Sequence, residues 1–111
     1  MKLALRRSDY FNADFDLEYR GYLREASEEV AERYYAAVNS TLDELARQPG
    51  LGRRRQFRHA ELKGLPAFQV RRPYGVHLIF YRHTDSELFA ERIMHGARNL
   101  PRRLLEPPIE D

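Results

Sequence analysis

Cysteine is absent from this 111-residue sequence, and its absence removes several kinds of chemistry at once. A chain without cysteine has no disulfide framework, no thiolate nucleophile and no zinc–thiolate site. The four histidines are scattered, and no two lie four residues apart, as they would to hold a metal on one helix face. We therefore expect neither a metal site nor any other cofactor.

The sequence also lacks long hydrophobic runs. No stretch approaches the roughly 18 apolar residues of a transmembrane helix, and the N-terminus carries no apolar run of signal-peptide length. We therefore expect a cytoplasmic protein with no membrane partner. Its 111 residues suffice for one domain but not for two; we place the domain at residues 1–105 and a loose acidic tail at residues 106–111.

Charge is distributed unevenly along the chain. Residues 1–52 carry 7 basic and 10 acidic side chains, residues 53–103 carry 12 basic and 4 acidic ones, and residues 104–111 carry 3 acidic ones. The cationic middle fits a polyanionic or acidic partner. A solvated arginine-rich surface accounts for the same pattern, and composition leaves both interpretations open.

The first half of the chain predicts a short strand at residues 2–7 and then a helical hairpin. Ser8 and Ser27 are suitable N-caps, and Pro49-Gly50 cannot continue a helix. Apolar residues recur at helical spacing in both segments: Phe11, Phe15, Tyr19, Tyr22, Leu23 and Ala26 in the first, and Val30, Tyr34, Val38, Leu42 and Leu45 in the second. A stacking platform is conceivable, but such stripes usually form core, and we expect them to pack the hairpin onto a sheet.

The second half predicts an antiparallel meander with strands at residues 67–72, 76–83 and 87–95, and the turn chemistry of Thr84-Asp85-Ser86 separates the last two. Glu91 falls on an otherwise apolar set of alternating positions. A short helix follows near Leu104. The order β-α-α-β-β-β, with this C-terminal helix, indicates an α+β fold in which the hairpin covers one face of a small twisted antiparallel sheet.

The other face of that sheet is expected to be cationic and partly open. Its candidate residues, together with those at the exit of the last strand, are Arg71, His77 or Arg82, Arg92, His95 and Arg98. Arginine forks suit phosphate or carboxylate, and histidine exchanges protons near neutral pH. Such a set can promote RNA cleavage by attack of the RNA's own 2′-hydroxyl: the histidines would transfer protons, and the arginines would stabilise the developing negative charge. The competing interpretation is structural: His95 binds backbone at the Gly96 turn, and the arginines pair with Glu87 and Glu91.

Four short segments occur in order along the chain: Pro49-Gly-Leu-Gly52, Leu62-Lys-Gly64, Ile79-Phe-Tyr-Arg82 and Arg92-Ile-Met-His-Gly-Ala-Arg98. Each is weak alone. The ordered set, from the first strand through Leu104, resembles the RelE/ParE toxin family of bacterial type II toxin–antitoxin systems. The resemblance implies a RelE-like fold.

The family divides by target, and the two branches imply different chemistry. RelE-like toxins cleave messenger RNA in the ribosome with lysines, arginines and a tyrosine. Here Gln69 stands at a lysine position, His77 at an arginine position and Leu104 at the tyrosine position, while Arg71 and Arg98 are retained. The His-Gly-Ala-Arg ending resembles the ParE branch, whose members poison DNA gyrase and are not nucleases.

The resemblance therefore implies a growth-inhibiting toxin that binds gyrase and has no catalytic residues. The first alternative is a RelE-like ribosome-dependent endoribonuclease with Arg71, His77 and Arg98 as catalytic residues. The second alternative is a non-toxic module that binds only its antitoxin.

The resemblance also implies a partner, a co-encoded antitoxin whose disordered acidic and hydrophobic C-terminal segment folds on the toxin. Its acidic residues are expected over the arginines, and its hydrophobic helix near Tyr19 and Tyr22 or near residues 100–105. The residues expected to bind the antitoxin or the target are Arg71, Arg82, Arg92, His95, Arg98, Tyr19 and Tyr22.

Overall fold

The computed structural model describes residues 2–54, 64–96 and 104–108. Its elements, in chain order, are β1 (Ala4–Arg7), α1 (Asp9–Glu25), α2 (Glu28–Arg47), a 3-10 turn (Pro49–Leu51), β2 (Arg53–Arg54), β3 (Pro66–Gln69), β4 (His77–His83) and β5 (Glu87–His95). The two helices pack on a five-stranded sheet with the order β1-β5-β4-β3-β2. The α+β fold predicted from the sequence is confirmed.

Both helices begin directly after their predicted N-cap serines. The Ser8 hydroxyl accepts a hydrogen bond from the Phe11 N–H at 2.9 Å, and the Ser27 hydroxyl accepts one from the Val30 N–H at 3.1 Å. α2 ends at Arg47, before the proline that cannot continue it. The predicted helical hairpin is therefore confirmed. None of the described helices is long and apolar enough to cross a membrane.

The sheet is mixed rather than antiparallel, which corrects the sequence-based expectation. β3, β4 and β5 form the predicted antiparallel meander. β1, however, pairs with β5 in parallel, with Leu5 opposite Leu88. The two-residue strand β2, which pairs antiparallel with β3, was not predicted. Both differences concern pairings between distant parts of the chain, about whose orientation local patterns say nothing.

A bulge in β5 explains why Glu91 interrupts an apolar pattern. Tyr81 of β4 pairs with Ala90, the preceding β4 residue pairs with Arg92, and Glu91 between them has no partner. An extra residue of this kind resets the alternation of side chains along a strand. Ala90 and Ile93 therefore both face the helices, although an undisturbed strand would place them on opposite faces.

The main core lies between the hairpin and the sheet. Its buried members include Phe11, Tyr34, Val38, Leu42, Leu45, Ile79, Tyr81, Leu88 and Ile93. Phe15, Tyr19 and Tyr22 pack against this core and are partly buried. Leu23 and Ala26, which the helical pattern also placed on the apolar face, are exposed. They belong to the last turn of α1 and its C-cap.

A second, smaller apolar cluster covers the centre of the opposite sheet face. Its members are Leu65, Ala67, Leu78, Phe80, Met94 and Leu104. The expectation that this face is open is therefore wrong at its centre. Leu104 and the residue after it are helical; residues 97–103, which include the start of the predicted C-terminal helix, lie outside the described residues. The predicted domain end at residue 105 stays a prediction.

Candidate functional site

Arg92 lies in the protein interior rather than on an exposed cationic face. Its guanidinium donates to both carboxylate oxygens of Asp14, from Nε at 2.7 Å and from Nη2 at 2.9 Å. Its Nη1 donates to the C=O groups of Leu104 at 3.3 Å and Glu106 at 2.6 Å. The two charged side chains are only 6% and 7% exposed. Arg92 thus joins α1 to the C-terminal segment, and the alternative expectation, pairing with an acid of its own strand, is also wrong for this arginine.

Asp14 also closes one edge of the sheet. β1 ends opposite Ala90, so β5 continues beyond it with one edge that no described strand pairs. There Asp14 accepts the Ile93 N–H at 3.2 Å, and the Ser8 hydroxyl donates to the Glu91 C=O at 2.7 Å. Side chains of α1 and its cap therefore occupy the positions that a neighbouring strand would take.

His77 lies on the helix side of β4, which corrects its placement on the opposite face. The residue is 1% exposed, its Nε2 is hydrogen-bonded to the Tyr22 hydroxyl at 2.8 Å, and its ring centroid lies 5.0 Å from that of Tyr34. Burial, with a smaller contribution from the charge of nearby His95, lowers the pKa of His77 to about 4. His77 is therefore neutral at pH 7 and is enclosed by aromatic rings.

The hydroxyl groups of Tyr19 and Tyr22 both form hydrogen bonds with other residues of the chain. The Tyr19 hydroxyl donates to the Glu32 carboxylate at 2.8 Å, and that hydrogen bond is the largest cause of the raised pKa of Tyr19. Burial raises the pKa of Tyr22, whose hydroxyl meets His77. Both rings are partly buried. Their role in binding a partner stays a prediction.

The remaining candidate residues do not form one cluster. Arg71 is exposed just after β3, with its Nη2 3.2 Å from a carboxylate oxygen of Glu44 on α2. Arg82 is exposed near the far end of β4, and His95 is partly buried at the end of β5. Arg98 lies outside the described residues. The binding roles of these residues stay predictions.

The structure also bears on the alternative ribonuclease set. Arg71 is at the surface and His77 is in the core, so their side chains do not share one accessible surface. The third member, Arg98, falls outside the described residues. The described pair therefore gives no support to a proton-transfer site built on His77.

A groove of about 980 Å³ runs along the outer edge of β3. Phe68 packs with the helix-side core and Ala67 with the opposite cluster; because both line the groove, it follows the sheet edge rather than one face. Four exposed arginines border it: Arg53, Arg54, Arg71 and Arg72. Its apolar lining consists of Leu51, Ala67, Phe68, Val70 and Leu78. We call this feature the edge groove.

Tyr81 fixes one wall of the edge groove. Its hydroxyl donates to the Pro49 C=O at 2.6 Å and accepts from the Gly52 N–H at 2.8 Å. A Cβ atom at position 52 would overlap the Tyr81 ring, so glycine is required for this close approach. The Pro49-Gly-Leu-Gly52 segment thereby determines where β2 begins and where its two arginines stand.

The edge groove is suited to an anionic ligand. Its one acidic lining residue among those described, Glu44, already pairs with Arg71. Among residues 2–54, 64–96 and 104–108, no ion pair engages Arg53, Arg54 or Arg72. No three His, Asp or Glu side chains in the described part of the chain could hold a metal ion. The described lining includes no histidine.

Sequence comparison places this architecture in a family. The sequence model described as "ParE toxin of type II toxin-antitoxin system, parDE" matches residues 5–100. The chain belongs to this ParE toxin family. The RelE/ParE resemblance, and its ParE side in particular, is thereby confirmed. No curated protein matches the chain at a significant level.

A solved structure shares the fold of this ParE-family chain. A chain of the "Chromosomal ParDE TA system from P. aeruginosa" superimposes with a TM-score of 0.67 and 18% sequence identity. The match covers 85% of this chain and 96% of that chain. At this identity the likeness concerns the fold alone, including the helical hairpin on the sheet.

Two of the groups described above were missed by sequence reasoning. Arg53 and Arg54 stood in a visible charged run, but the pairing that sets them beside β3 joins separate segments of the chain. Asp14 could have been identified from its position in the sequence. It lies three residues after Phe11 and therefore on the apolar face of α1, where an acid requires a buried partner.

Proposed function

We propose that this ParE-family chain is the toxin of a type II toxin–antitoxin module and inhibits growth by binding DNA gyrase in the cytoplasm. The observation that carries the proposal is the family match over residues 5–100. The geometry is consistent with action by binding, because the edge groove presents cations and apolar surface while His77 is buried and neutral.

The proposal includes a co-encoded antitoxin that neutralises the toxin through an acidic and hydrophobic C-terminal segment. Its support is the match to a ParE family whose description names the parDE system. The exposed arginines of the edge groove offer carboxylates a binding surface. A segment that is disordered when free and folds on binding can cover such an elongated surface.

Induced expression without the antitoxin tests the proposal in cells. We expect growth arrest with filamentation and DNA-damage signalling while bulk protein synthesis continues, since blocked gyrase leaves broken DNA. Co-expression of the neighbouring small coding sequence should restore growth. A Leu42→Asp chain, which places a charge at a fully buried core position, is the unfolded control and should have no effect.

Other outcomes would select the alternatives. Rapid translation arrest with ribosome-dependent cuts in messenger RNA would contradict the gyrase proposal and support a RelE-like endoribonuclease. Normal growth in the presence of soluble, folded protein would leave a non-toxic antitoxin-binding module.

A further inference from the structure

Positive charge is concentrated along the edge groove. Four exposed arginines border it, Arg53 and Arg54 beside the start of β3 and Arg71 and Arg72 just after its end. The single acidic residue of the described lining, Glu44, pairs with Arg71. The other three arginines form no ion pair with any described residue. The described lining is therefore strongly cationic and largely free to bind an anion.

The arginines stand in two pairs at opposite ends of the groove. Arg53 lies opposite Ala67, and Arg71 follows four residues later along the chain, a distance of roughly 13 Å in extended conformation. One strand of duplex DNA carries a phosphate for about every 3.4 Å of helix axis. Several phosphates of one strand therefore fall within this distance, and a DNA backbone that lies along the groove meets both pairs.

The groove offers little main chain to a polypeptide ligand. β2 already pairs with Pro66 and Ala67 on the outer side of β3, and β4 pairs with the other side. Binding therefore depends mainly on the four arginines. An extended peptide of about five residues spans them but must be acidic at nearly every position to match their charge, which leaves no apolar side chain for the apolar lining. A nucleic acid carries a phosphate on every nucleotide and also presents its sugars.

The lining also favours a duplex over a single strand. Proteins that bind single strands stack bases on exposed aromatic rings. Phe68 is the one aromatic residue of the described lining, and it packs against the core below the helical hairpin. Duplex phosphates need no such ring, because arginine forks bind them through two N–H groups. The exposed side chain of Gln69, between the two pairs, can add a hydrogen bond to a phosphate or sugar.

We propose that the edge groove binds the phosphate backbone of duplex DNA without regard to base sequence. The two arginine pairs contact phosphates at the two ends of the groove, and the apolar lining lies against the sugars. This inference rests on the proposed function, because gyrase holds the duplex that the toxin meets. The contact directs the toxin to gyrase that has DNA bound, and carboxylates of the antitoxin compete with the DNA for the same arginines.

The test uses the purified full chain and a fluorescently labelled duplex of about 20 base pairs, with binding followed by anisotropy at about 50 mM salt. We expect saturable binding that weakens roughly 40- to 150-fold between about 50 and 200 mM salt, as the release of about three or four counterions requires. A second duplex of equal length and unrelated sequence should bind within about twofold, because phosphate contacts carry no sequence information.

Variants of the groove locate the binding. Arg53→Gln/Arg54→Gln and Arg71→Gln/Arg72→Gln should each weaken binding at least about tenfold at low salt. Each should also reduce the slope of log K against log salt by about two, since each removes about two phosphate contacts. The change in slope distinguishes lost phosphate contacts from a general loss of affinity.

A matched control lies on the helical hairpin. Arg20→Gln/Arg33→Gln removes the same charge from exposed positions of α1 and α2 and should leave the affinity within about twofold and the slope unchanged. Thermal unfolding checks that every variant folds. The single variants Arg54→Gln and Arg72→Gln replace any double variant of the groove that does not fold.

Several results would overturn the inference. They are the absence of saturable duplex binding at low salt, an unchanged slope in both groove variants, and equal weakening in the control variant. Tighter binding of a single strand of the same length would assign the groove to single-stranded nucleic acid. Displacement of the duplex by a lower concentration of polyglutamate of equal charge would assign it to an acidic polypeptide. Either of these assignments rejects the proposal.

Gyrase inhibition, assayed on the same preparation, separates this inference from the proposed function. Inhibition without duplex binding rejects the DNA surface alone, and duplex binding without inhibition rejects the gyrase target alone. Relaxation of the same plasmid by an unrelated topoisomerase is the control for coating of the DNA, and it should proceed at the toxin concentrations that block gyrase.

Discussion

The unpaired strand edges on the two sides of the sheet differ in whether described side chains cover them. Beyond β1, the edge of β5 is closed by Ser8 and Asp14, and Asp14 is itself held by Arg92. At the other side, no described residue pairs with the edge of β3 at Gln69, and exposed arginines flank this position. Unpaired edges are sites of strand addition unless they are covered, and among the described residues side chains cover the β5 edge but not the β3 edge at Gln69.

The comparison also shows that the role of an arginine depends on what surrounds it. Arg92 has a buried carboxylate and two carbonyl groups within reach, and it acts as a structural connector. Arg53 and Arg54 stand in solvent on a two-residue strand, and they remain available to a ligand. An alternating strand pattern contains arginines of both kinds and does not distinguish them.

The largest expected effect comes from breaking the closed edge. Asp14→Asn leaves the buried Arg92 charge without its counter-ion, and we expect the free energy of unfolding to fall by about 3–5 kcal/mol. Urea denaturation measures the change. Asp16→Asn on the same helix removes an exposed partner of Arg20 and should cost less than about 1 kcal/mol. Equal losses in the two variants would contradict the structural role assigned to the buried pair.

A smaller effect is expected from His77, in the core between the two edges. This residue should make the free energy of unfolding depend on pH. The pKa of His77 is about 4 in the folded chain against an ordinary 6.5, so between these values the unfolded chain binds a proton that the folded chain excludes. Stability should therefore fall as the pH is lowered from 6.5 to 4, by about 3 kcal/mol in total. His77→Gln should flatten this dependence in urea titrations at several pH values. His83→Gln, at an exposed position, should leave it unchanged, and a His77→Gln chain with the same pH dependence as wild type would show that another group is responsible.

The third prediction concerns Tyr81, which fixes one wall of the edge groove. Tyr81→Phe leaves the Gly52 N–H and the Pro49 C=O without their shared partner, and should cost about 1–3 kcal/mol. Tyr34→Phe is the matched control, because no described residue forms a hydrogen bond with the buried Tyr34 hydroxyl; removal of this hydroxyl should be neutral or slightly stabilising. Chemical denaturation compares the two. A larger loss in Tyr34→Phe than in Tyr81→Phe would contradict this description of the wall.

The smallest change in the free energy of unfolding is expected at an exposed ion pair between β1 and β5. Arg6 pairs with Glu87 across β1 and β5, with Nε 2.6 Å from the carboxylate, but its side chain is 68% exposed. Arg6→Ala should cost only about 0.2–1 kcal/mol, and less at high salt. Urea denaturation at two salt concentrations checks both statements. A loss above about 2 kcal/mol that does not respond to salt would show that β1 depends on this pair.

The parts of the fold that follow from local chemistry were predictable from the sequence. The strand predicted at residues 87–95 is observed at Glu87–His95, because the turn residues before it and its apolar side chains define it locally. The N-cap serines likewise fixed both helix starts. The parallel pairing of β1 with β5 was not predictable in this way, since strand orientation depends on where the intervening helices lead the chain.

The candidate site was harder to predict because side-chain direction depends on register. On the last strand the bulge at Glu91 shifts the faces, and on β4 His77 turned out to share the helix side with Tyr81. The charge of the middle segment showed that this part of the chain is cationic, but it did not single out Arg53 and Arg54 as a surface. Its position at a sheet edge follows from the pairing of β2 with β3, which appears only in the folded chain.

Plasmid supercoiling by purified DNA gyrase is the most direct test of the central claim that this chain is a gyrase-directed toxin. We predict that the folded chain blocks supercoiling of relaxed plasmid and traps gyrase on cleaved DNA, and that prior incubation with the neighbouring antitoxin restores supercoiling. Full supercoiling activity in the presence of excess folded toxin would contradict it.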